Sequence, residues 1–313
     1  MIVLYTLFAL SVFCPIYTYA LYPVILRMLR KKRYKNVDIE PDVSVVVLGE
    51  NATDKIKNIQ QGEYPNVEII KGGYRDANNA KGEIVVFTDT KTDMDLNAIW
   101  EIVKPFADER VGAAVGQQIN PEGNSAFWKY ENIVKRLESR IGCVSGANDS
   151  LFAVRKRDLP GVPENVLNKP FYIATKITER GKDIVFQDTA KAYEGKTEGT
   201  NFQKHVEDAA EFWQALRLFP KMLVGSHGSF VYVSHRVMKW FVWLNMLVML
   251  MTSGMLAVKG SVVMAILFIL QIVVYLMLVL LGRKQMKGAA GRLISIGYYF
   301  LTLNVAYFLG LIR

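Results

Sequence analysis

Apolar runs of two lengths organise this chain. Four long ones, roughly Val3–Leu26, Val237–Val258, Ser261–Leu281 and Leu293–Ile312, each reach the ~20 residues that cross a hydrocarbon core. Their interiors hold essentially no charge apart from Lys239, and three of them crowd into the last 77 residues. That density argues for membrane spans rather than buried soluble helices. Between the first and second spans the runs are short. Val43–Val47 is almost continuously apolar, as expected of a strand covered on both faces. Val67–Ile70, Glu83–Phe87 and Val111–Val115 read as further strands. A polar, helix-compatible stretch (Asn51–Gln60) follows the first, and a helix over Leu96–Phe106 precedes the last. This alternation predicts an α/β domain with a doubly wound, mostly parallel sheet.

Connection lengths refine the expectation. Eighteen residues separate Leu48 from Val67, but only twelve separate Ile70 from Glu83, the bare minimum for a parallel crossover. The segment Lys71–Gly82 is rich in Gly, Asn and Asp and lacks helical periodicity, so the sheet is expected to miss an element on that side. Further on, Ala126–Ile141 predicts an amphipathic helix and Ser150–Arg155 a strand. Phe171–Gly181 predicts a helix ending on a common C-cap residue. Ile184–Gln187 and Ala190–Tyr193 read as two short strands, and Phe202–Leu218 as a helix. Pro220–Arg236, with Trp240 just beyond, suits a segment lying along a membrane interface. The expected organisation is an anchor with a basic flank (1–35), an α/β domain (36–219), an interfacial segment (220–236) and a three-helix membrane domain (237–313).

Charge changes the picture by its location. The formal net charge is +9, yet ten basic residues flank the spans: Arg27, Arg30, Lys31, Lys32, Arg33 and Lys35, then Arg283, Lys284, Lys287 and Arg292. Set aside, they leave 28 basic residues facing 29 acidic ones, which removes the main support for a nucleic-acid partner. The positive-inside rule makes both clusters cytoplasmic. The N- and C-termini are then outside and residues 36–236 cytosolic. Positive charge follows the first apolar run rather than preceding it, which favours a retained anchor over a cleaved signal peptide. Cys14 and Cys143 form no ligand or disulfide pattern. Few polar groups lie within the spans (Asn245, Gln271, Asn304), which fits helix–helix contacts better than solute transport.

The chemistry concentrates in Phe87-Thr88-Asp89-Thr90-Lys91-Thr92-Asp93. Asp89 sits where a strand ends, the place where open α/β sheets bind ligands. Asp93 reads either as a displaced ligand or as a helix N-cap before Leu96. His205, His227 and His235 have no ligand-like spacing and receive no role.

Phe87-Thr88-Asp89, Trp128-Lys129-Tyr130-Glu131 with Glu138-Ser139, and Gly146-Ala147 with Phe152-Ala153-Val154-Arg155 follow one another in an order that resembles membrane-bound family 2 glycosyltransferases. So do Ala190-Lys191-Ala192-Tyr193-Glu194, Gln214-Ala215-Leu216-Arg217 and Ser234–Trp240. That family includes the synthases of cellulose and hyaluronan, and the resemblance covers about residues 43–245. It implies a GT-A fold, a nucleotide-sugar donor (UDP-linked most often), Mg or Mn as cofactor, inversion at the sugar carbon, and a lipid or glycan acceptor at the membrane.

Position by position, the resemblance assigns Asp89 to the first aspartate of the metal motif, where it holds ribose and metal; the plain alternative is a turn residue. Lys91 falls on the second aspartate. An ammonium cannot ligate a metal, but it can offset diphosphate charge, the alternative being a solvated turn lysine. Gln214 and Arg217 match a motif whose arginine stabilises the departing diphosphate; Leu218 replaces the motif's tryptophan, and an interfacial arginine is the alternative. The acidic pair that supplies the family's general base corresponds to Lys169 and Pro170. Asp149 is the one substitute base within that loop region, against an ordinary Asx-turn. The resemblance thus implies either a membrane glycosyltransferase or a catalytically silent relative that scaffolds a partner glycosyltransferase.

Overall fold

The structure, a computed structural model of the chain, describes residues 1–119, 126–195, 202–225, 228–282 and 288–312. Two compact units emerge, one comprising Leu26–Gly199 with Phe219–Tyr232, the other Met1–Ile25, Thr200–Leu218 and Val233–Arg313.

Among the described residues the first unit is built on seven strands: β1 (Val43–Leu48), β2 (Val67–Gly72), β3 (Ile84–Asp89), β4 (Thr92–Met94), β5 (Val111–Ile119), β6 (Phe152–Arg155) and β7 (Asp183–Glu194). They form one sheet in the order β2-β1-β3-β6-β5-β7-β4. β1 runs parallel to β2 and β3, and β5 parallel to β7. β6 is antiparallel to β3 and β5, and β4 antiparallel to β7. The expected mostly parallel sheet is therefore corrected to a mixed one. A short apolar run reports burial on both faces, not strand direction. The two short strands expected over 184–193 are one strand, β7. Its pairing with β5 slips after Gln187 and resumes at Lys191, so the polar residues between them look like a break in the sequence.

Side chains alternate across the sheet as strand geometry dictates. Val43, Val45, Val47, Ile84 and Val86 pack on one face against Ile59 of the helix Thr53–Gln60 and Ile99, Ile102 and Val103 of the helix Ala98–Val103. Val46, Val85, Phe87, Phe152 and Val154 pack on the other against Ile173, Ala174 and Ile177 of the helix Lys169–Glu179. There the short β2–β3 connection also contributes Tyr74 and Ala77, the latter in a single 3-10 turn, Asp76–Asn79, where a crossover helix would stand.

Ahead of β1 the chain is extended and strapped to this unit. Lys32 N–H donates to the Arg140 carbonyl at 2.7 Å, and its ammonium pairs with the buried Asp183 at 2.7 Å. Tyr34 donates to the same carboxylate at 3.2 Å. Lys35 N–H donates to Asp108, and Arg110 donates to the Arg33 carbonyl. Hydrogen bonds from Arg110 hold the Asp108 carboxyl well below its usual range. Arg155 is a buried charge in the core, satisfied by Glu83 at 2.9 Å and the Phe106 carbonyl at 2.7 Å, with its guanidinium over the Phe106 ring.

The second unit is helical. Ile2–Met28, Val262–Leu281 and Gly288–Gly310 are long and apolar enough to cross a membrane, and the pair Ser229–Trp240 and Val242–Val258, bent by 54°, makes up to a fourth. The helix Phe202–Leu218 packs on the last helix, where a Cβ at Gly310 would stand 2.4 Å from that of Ala209. Phe212 meets Trp240 and Tyr307, and Trp243 meets Phe308. The basic residues Arg283, Lys284 and Lys287, and His227, lie outside the described residues, as do the side chains of Trp128 and His205. His235 is buried beside Tyr22 at 5.8 Å.

Candidate functional site

Register brings the ends of three strands level. Leu48 of β1 pairs with Gly72 of β2 on one side and with Asp89 of β3 on the other. All three point their carboxyl ends to one edge, the edge where α/β sheets present ligands. Because β6 runs back from that edge, the preceding loop Asn148–Ser150 joins the row: Thr88 Oγ1 donates to the Ser150 carbonyl at 2.8 Å. The loop is braced further by Ser150 Oγ to Asn148 at 2.7 Å, Asn148 Nδ2 to Gln118 at 2.9 Å and Gln118 Nε2 to Glu194 at 3.0 Å. Behind β1, Gly49 adopts a φ of +108°, and a Cβ there would sit 3.0 Å from Thr90 Oγ1. This glycine lets the β1 loop lie directly on the Asp89 turn.

Asp89 is held as a turn carboxylate. Its Oδ1 accepts from Lys91 N–H at 3.0 Å and from Thr92 Oγ1 at 2.9 Å, an Asx arrangement that reverses the chain. Lys91 is exposed at the turn. Asp93 is exposed in the middle of β4, paired with Tyr193. The N-cap reading of Asp93 is thereby corrected: the following helix starts at Ala98 with Asn97 at its cap. Asp93 lies in a strand rather than at a cap because its neighbours Thr92 and Met94 are buried, bonded to Lys55 and Asn58 of the helix Thr53–Gln60.

Tyr74 links two predicted residues. Its hydroxyl donates to Asp149, and its ring stacks on Phe87 at 4.7 Å between centroids. Burial, then the Asp149 carboxylate and the more distant Asp89, push the Tyr74 phenol well above its usual range. Asp89, Asp149 and Tyr74 therefore share one site. Sequence patterning missed Tyr74 because a lone tyrosine in a Gly-rich connection carries no periodic signal.

Lys55 is the second residue missed. It lies on Thr53–Gln60, 3% exposed, and its ammonium donates to the Thr92 carbonyl at 2.5 Å. Burial brings its pKa down to about 8, opposed by the carboxylates of Asp89 and Asp93. Its spacing to Ile59, four residues on, placed it on the apolar face, a signal that was readable.

The remaining predicted residues fall elsewhere. Gln214 and Arg217 belong to the helical unit, on Phe202–Leu218, Gln214 half-buried and Arg217 exposed in the last turn. Lys169 and Pro170 form the first turn of their helix, capped by Asn168, which accepts from Phe171 N–H at 2.9 Å; that position offers no carboxylate. Nearby, Glu164 pairs with Arg75, next to Tyr74.

A divalent cation of the Mg or Mn kind needs several oxygen or nitrogen ligands. Among the described residues no cluster of three or more His, Cys, Asp or Glu could hold one. At the edge itself Asp89 Oδ1 is already engaged by two donors, Lys91 stands where a second carboxylate would ligate, and the Lys55 ammonium lies beneath. These residues do not fit a protein-held Mg or Mn.

No family model matches the chain, and no curated protein sequence does. Among solved structures it is similar to a mannosyltransferase from Pyrobaculum calidifontis in complex with GDP-Man and Mn2+: 18% identity, a TM-score of 0.67, and coverage of 96% of this chain and 99% of that one. A glucosyl-3-phosphoglycerate synthase from Mycobacterium tuberculosis, in complex with Mn2+, UDP and glucosyl-3-phosphoglycerate, matches 56% of this chain and 79% of its own at 13% identity, with a TM-score of 0.41. The match to the first, which runs through the sheet and the apolar helices alike, shows that this chain has a GT-A-like glycosyltransferase fold.

Proposed function

We propose that the protein is a membrane glycosyltransferase of the family 2 type, moving a sugar from a nucleotide sugar to a lipid-linked or membrane-proximal glycan acceptor with inversion. The observation that carries this reading is the row Gly72–Leu48–Asp89 at the carboxyl edge of a GT-A-like sheet, flanked by the Asp149 loop. In this reading Asp89 orients the donor ribose. Asp149, hydrogen-bonded by Tyr74, takes the proton from the acceptor hydroxyl, a step worth about 10²–10⁴-fold. For Arg217 and Gln214, on the helix Phe202–Leu218 of the other unit, the resemblance supports a role toward a departing nucleoside diphosphate, one suited to a guanidinium. The Pyrobaculum structure was solved with a nucleotide sugar, which supports a donor of that class, UDP- or GDP-linked. A cytoplasmic-membrane location, with the sheet unit on the cytosolic side, follows from the flanking basic residues.

A second reading, a catalytically silent relative that scaffolds a partner glycosyltransferase, draws on the lysine and proline at the family's acidic pair. One experiment separates them. Purified protein in detergent is incubated with labelled UDP- and GDP-sugars and a membrane lipid extract, and label entering the organic phase is counted. Transfer that disappears in Asp89→Ala and in Asp149→Asn supports the enzyme. Donor binding without transfer or hydrolysis selects the scaffold, and absence of any donor binding rejects the glycosyltransferase reading.

A further inference from the structure

We propose that Lys55 is the resident cation of this site, taking the place of a divalent metal, so that a nucleoside-diphosphate sugar binds here without one. The inference rests on the donor-site reading above and concerns how that site meets the diphosphate's charge.

A buried ammonium is an expensive way to fill space: an apolar side chain of similar length does so without desolvating a charge. Lys55 is nonetheless nearly inaccessible, on the helix that directly follows the β1 loop. Its ammonium bonds the Thr92 carbonyl at 2.5 Å, and the hydroxyl of the same Thr92 bonds Asp89 Oδ1 at 2.9 Å. The charge is thus fixed two hydrogen bonds from the carboxylate that ends β3. Thr92 is itself buried, so this relay is shielded from water, where charges act more strongly than at a surface. An ammonium has three N–H donors, and among the described residues one of them has a protein acceptor.

The surrounding charges complete the argument. Asp89 and Asp93 are two carboxylates, and Lys55 and Lys91 two ammonium groups, so the turn is already neutral. A divalent ion placed on Asp89 would face the Lys55 charge across Thr92 and be repelled. An incoming diphosphate meets no uncompensated carboxylate pair and needs no metal to screen one. Lys55 also pins β4 through Thr92, a structural duty that Asn58 duplicates by bonding both N–H and C=O of Met94. That redundancy leaves the charge of Lys55, rather than its hydrogen bond, as its distinct contribution.

The test is calorimetric titration of full-length protein in detergent with UDP-glucose and GDP-mannose, once in EDTA and once with Mn2+. The wild type is expected to bind one of them with affinities that agree within about threefold between the two conditions. Lys55→Met is expected to lose about tenfold or more in EDTA, the effect of removing a charged contact. It should regain part of that in Mn2+, because Asp89 and Asp93 are then left without their counter-ion. Lys91→Ala, which removes an exposed and solvent-screened charge, should cost clearly less than Lys55→Met. A structural role for Lys55 alone would not couple the substitution to metal. Wild-type binding that requires Mn2+ overturns the proposal, as does unchanged EDTA binding in Lys55→Met or a loss that follows Lys91 instead. Should Lys55→Met fail to fold by circular dichroism, the wild-type comparison decides alone. Absence of binding in both conditions is a separate result: it removes the donor site itself.

Discussion

Replacing Lys55 by methionine removes the charge and keeps the length, and its effect on stability follows from the site. The pKa of Lys55 falls from 10.5 to about 8 in the folded protein, chiefly by burial. At 1.36 kcal/mol per pH unit, this amounts to about 3 kcal/mol by which folding disfavours the ammonium. The substitution also forfeits a hydrogen bond from a charged donor to the buried Thr92 carbonyl, about 2 kcal/mol. Near pH 7 the variant should therefore be more stable by about 1 kcal/mol, or roughly 2–4 °C in melting temperature for a unit of this size. The sign of the pH dependence is fixed by the direction of the shift. Below about pH 8 both folded and unfolded chains hold the proton, and the penalty is fully present. Between about 8 and 10.5 the folded state releases it first, the unfolded state binds more protons, and wild-type stability rises with pH. Methionine does not titrate, so the gap between variant and wild type should narrow on going from about pH 7 to about pH 9.5. Melting followed by circular dichroism at both pH values measures it. A variant less stable at neutral pH, or a gap that stays constant, would refute the account of a buried, strained charge.

Three further outcomes are expected. Arg155→Met strips the donors from the Phe106 and Val111 carbonyls and should lower stability by about 1–3 kcal/mol, read as the denaturant midpoint of the sheet unit. Lys32→Ala frees one end of the extended strap from Asp183, and limited proteolysis should cut within residues 29–42 sooner than in wild type, with β-strand content unchanged. Gly310→Val inserts a side chain where even a Cβ would stand 2.4 Å from that of Ala209. It should separate the last helix from Phe202–Leu218 and raise labelling of a cysteine engineered at Ala209; unchanged labelling would contradict the packing described.

The sheet was legible where patterning and burial coincide. β1 and β3 are almost uninterrupted apolar runs because helices or loops cover both faces, and Asp89 stood out because the run stops there. Strand direction was not legible, since β6 looks like any buried strand and only its two antiparallel neighbours reveal it. β4 was missed because three residues, Thr-Asp-Met, carry no period. Their conformation is imposed by Asn58 on one side and β7 on the other. The site was half visible: Asp89 and Asp149 announced themselves as carboxylates at loop positions. Tyr74 is defined by what it reaches across the fold, over 75 positions of sequence, a distance closed to local reasoning; the spacing of Lys55 to Ile59 gave away its apolar face, but not its partner 37 positions on.

The position of β7 within the sheet has a consequence for how the protein is made. Among the described residues β7 is the last strand in chain order, yet it lies between β5 and β4, and β4 pairs there with no other strand. A nascent chain that has emerged only as far as residue 182 therefore lacks one of the two neighbours that order Thr92–Met94, the other being the helix that carries Lys55 and Asn58. Asp183, the first residue of β7, is also the anchor of Lys32 and Tyr34. Both β4 and the strap thus await the same late segment. Contacts of such long sequence separation form slowly, and until they form β5 presents an unpaired edge to other chains. Completion of the sheet around these residues is therefore timed by the arrival of a single strand.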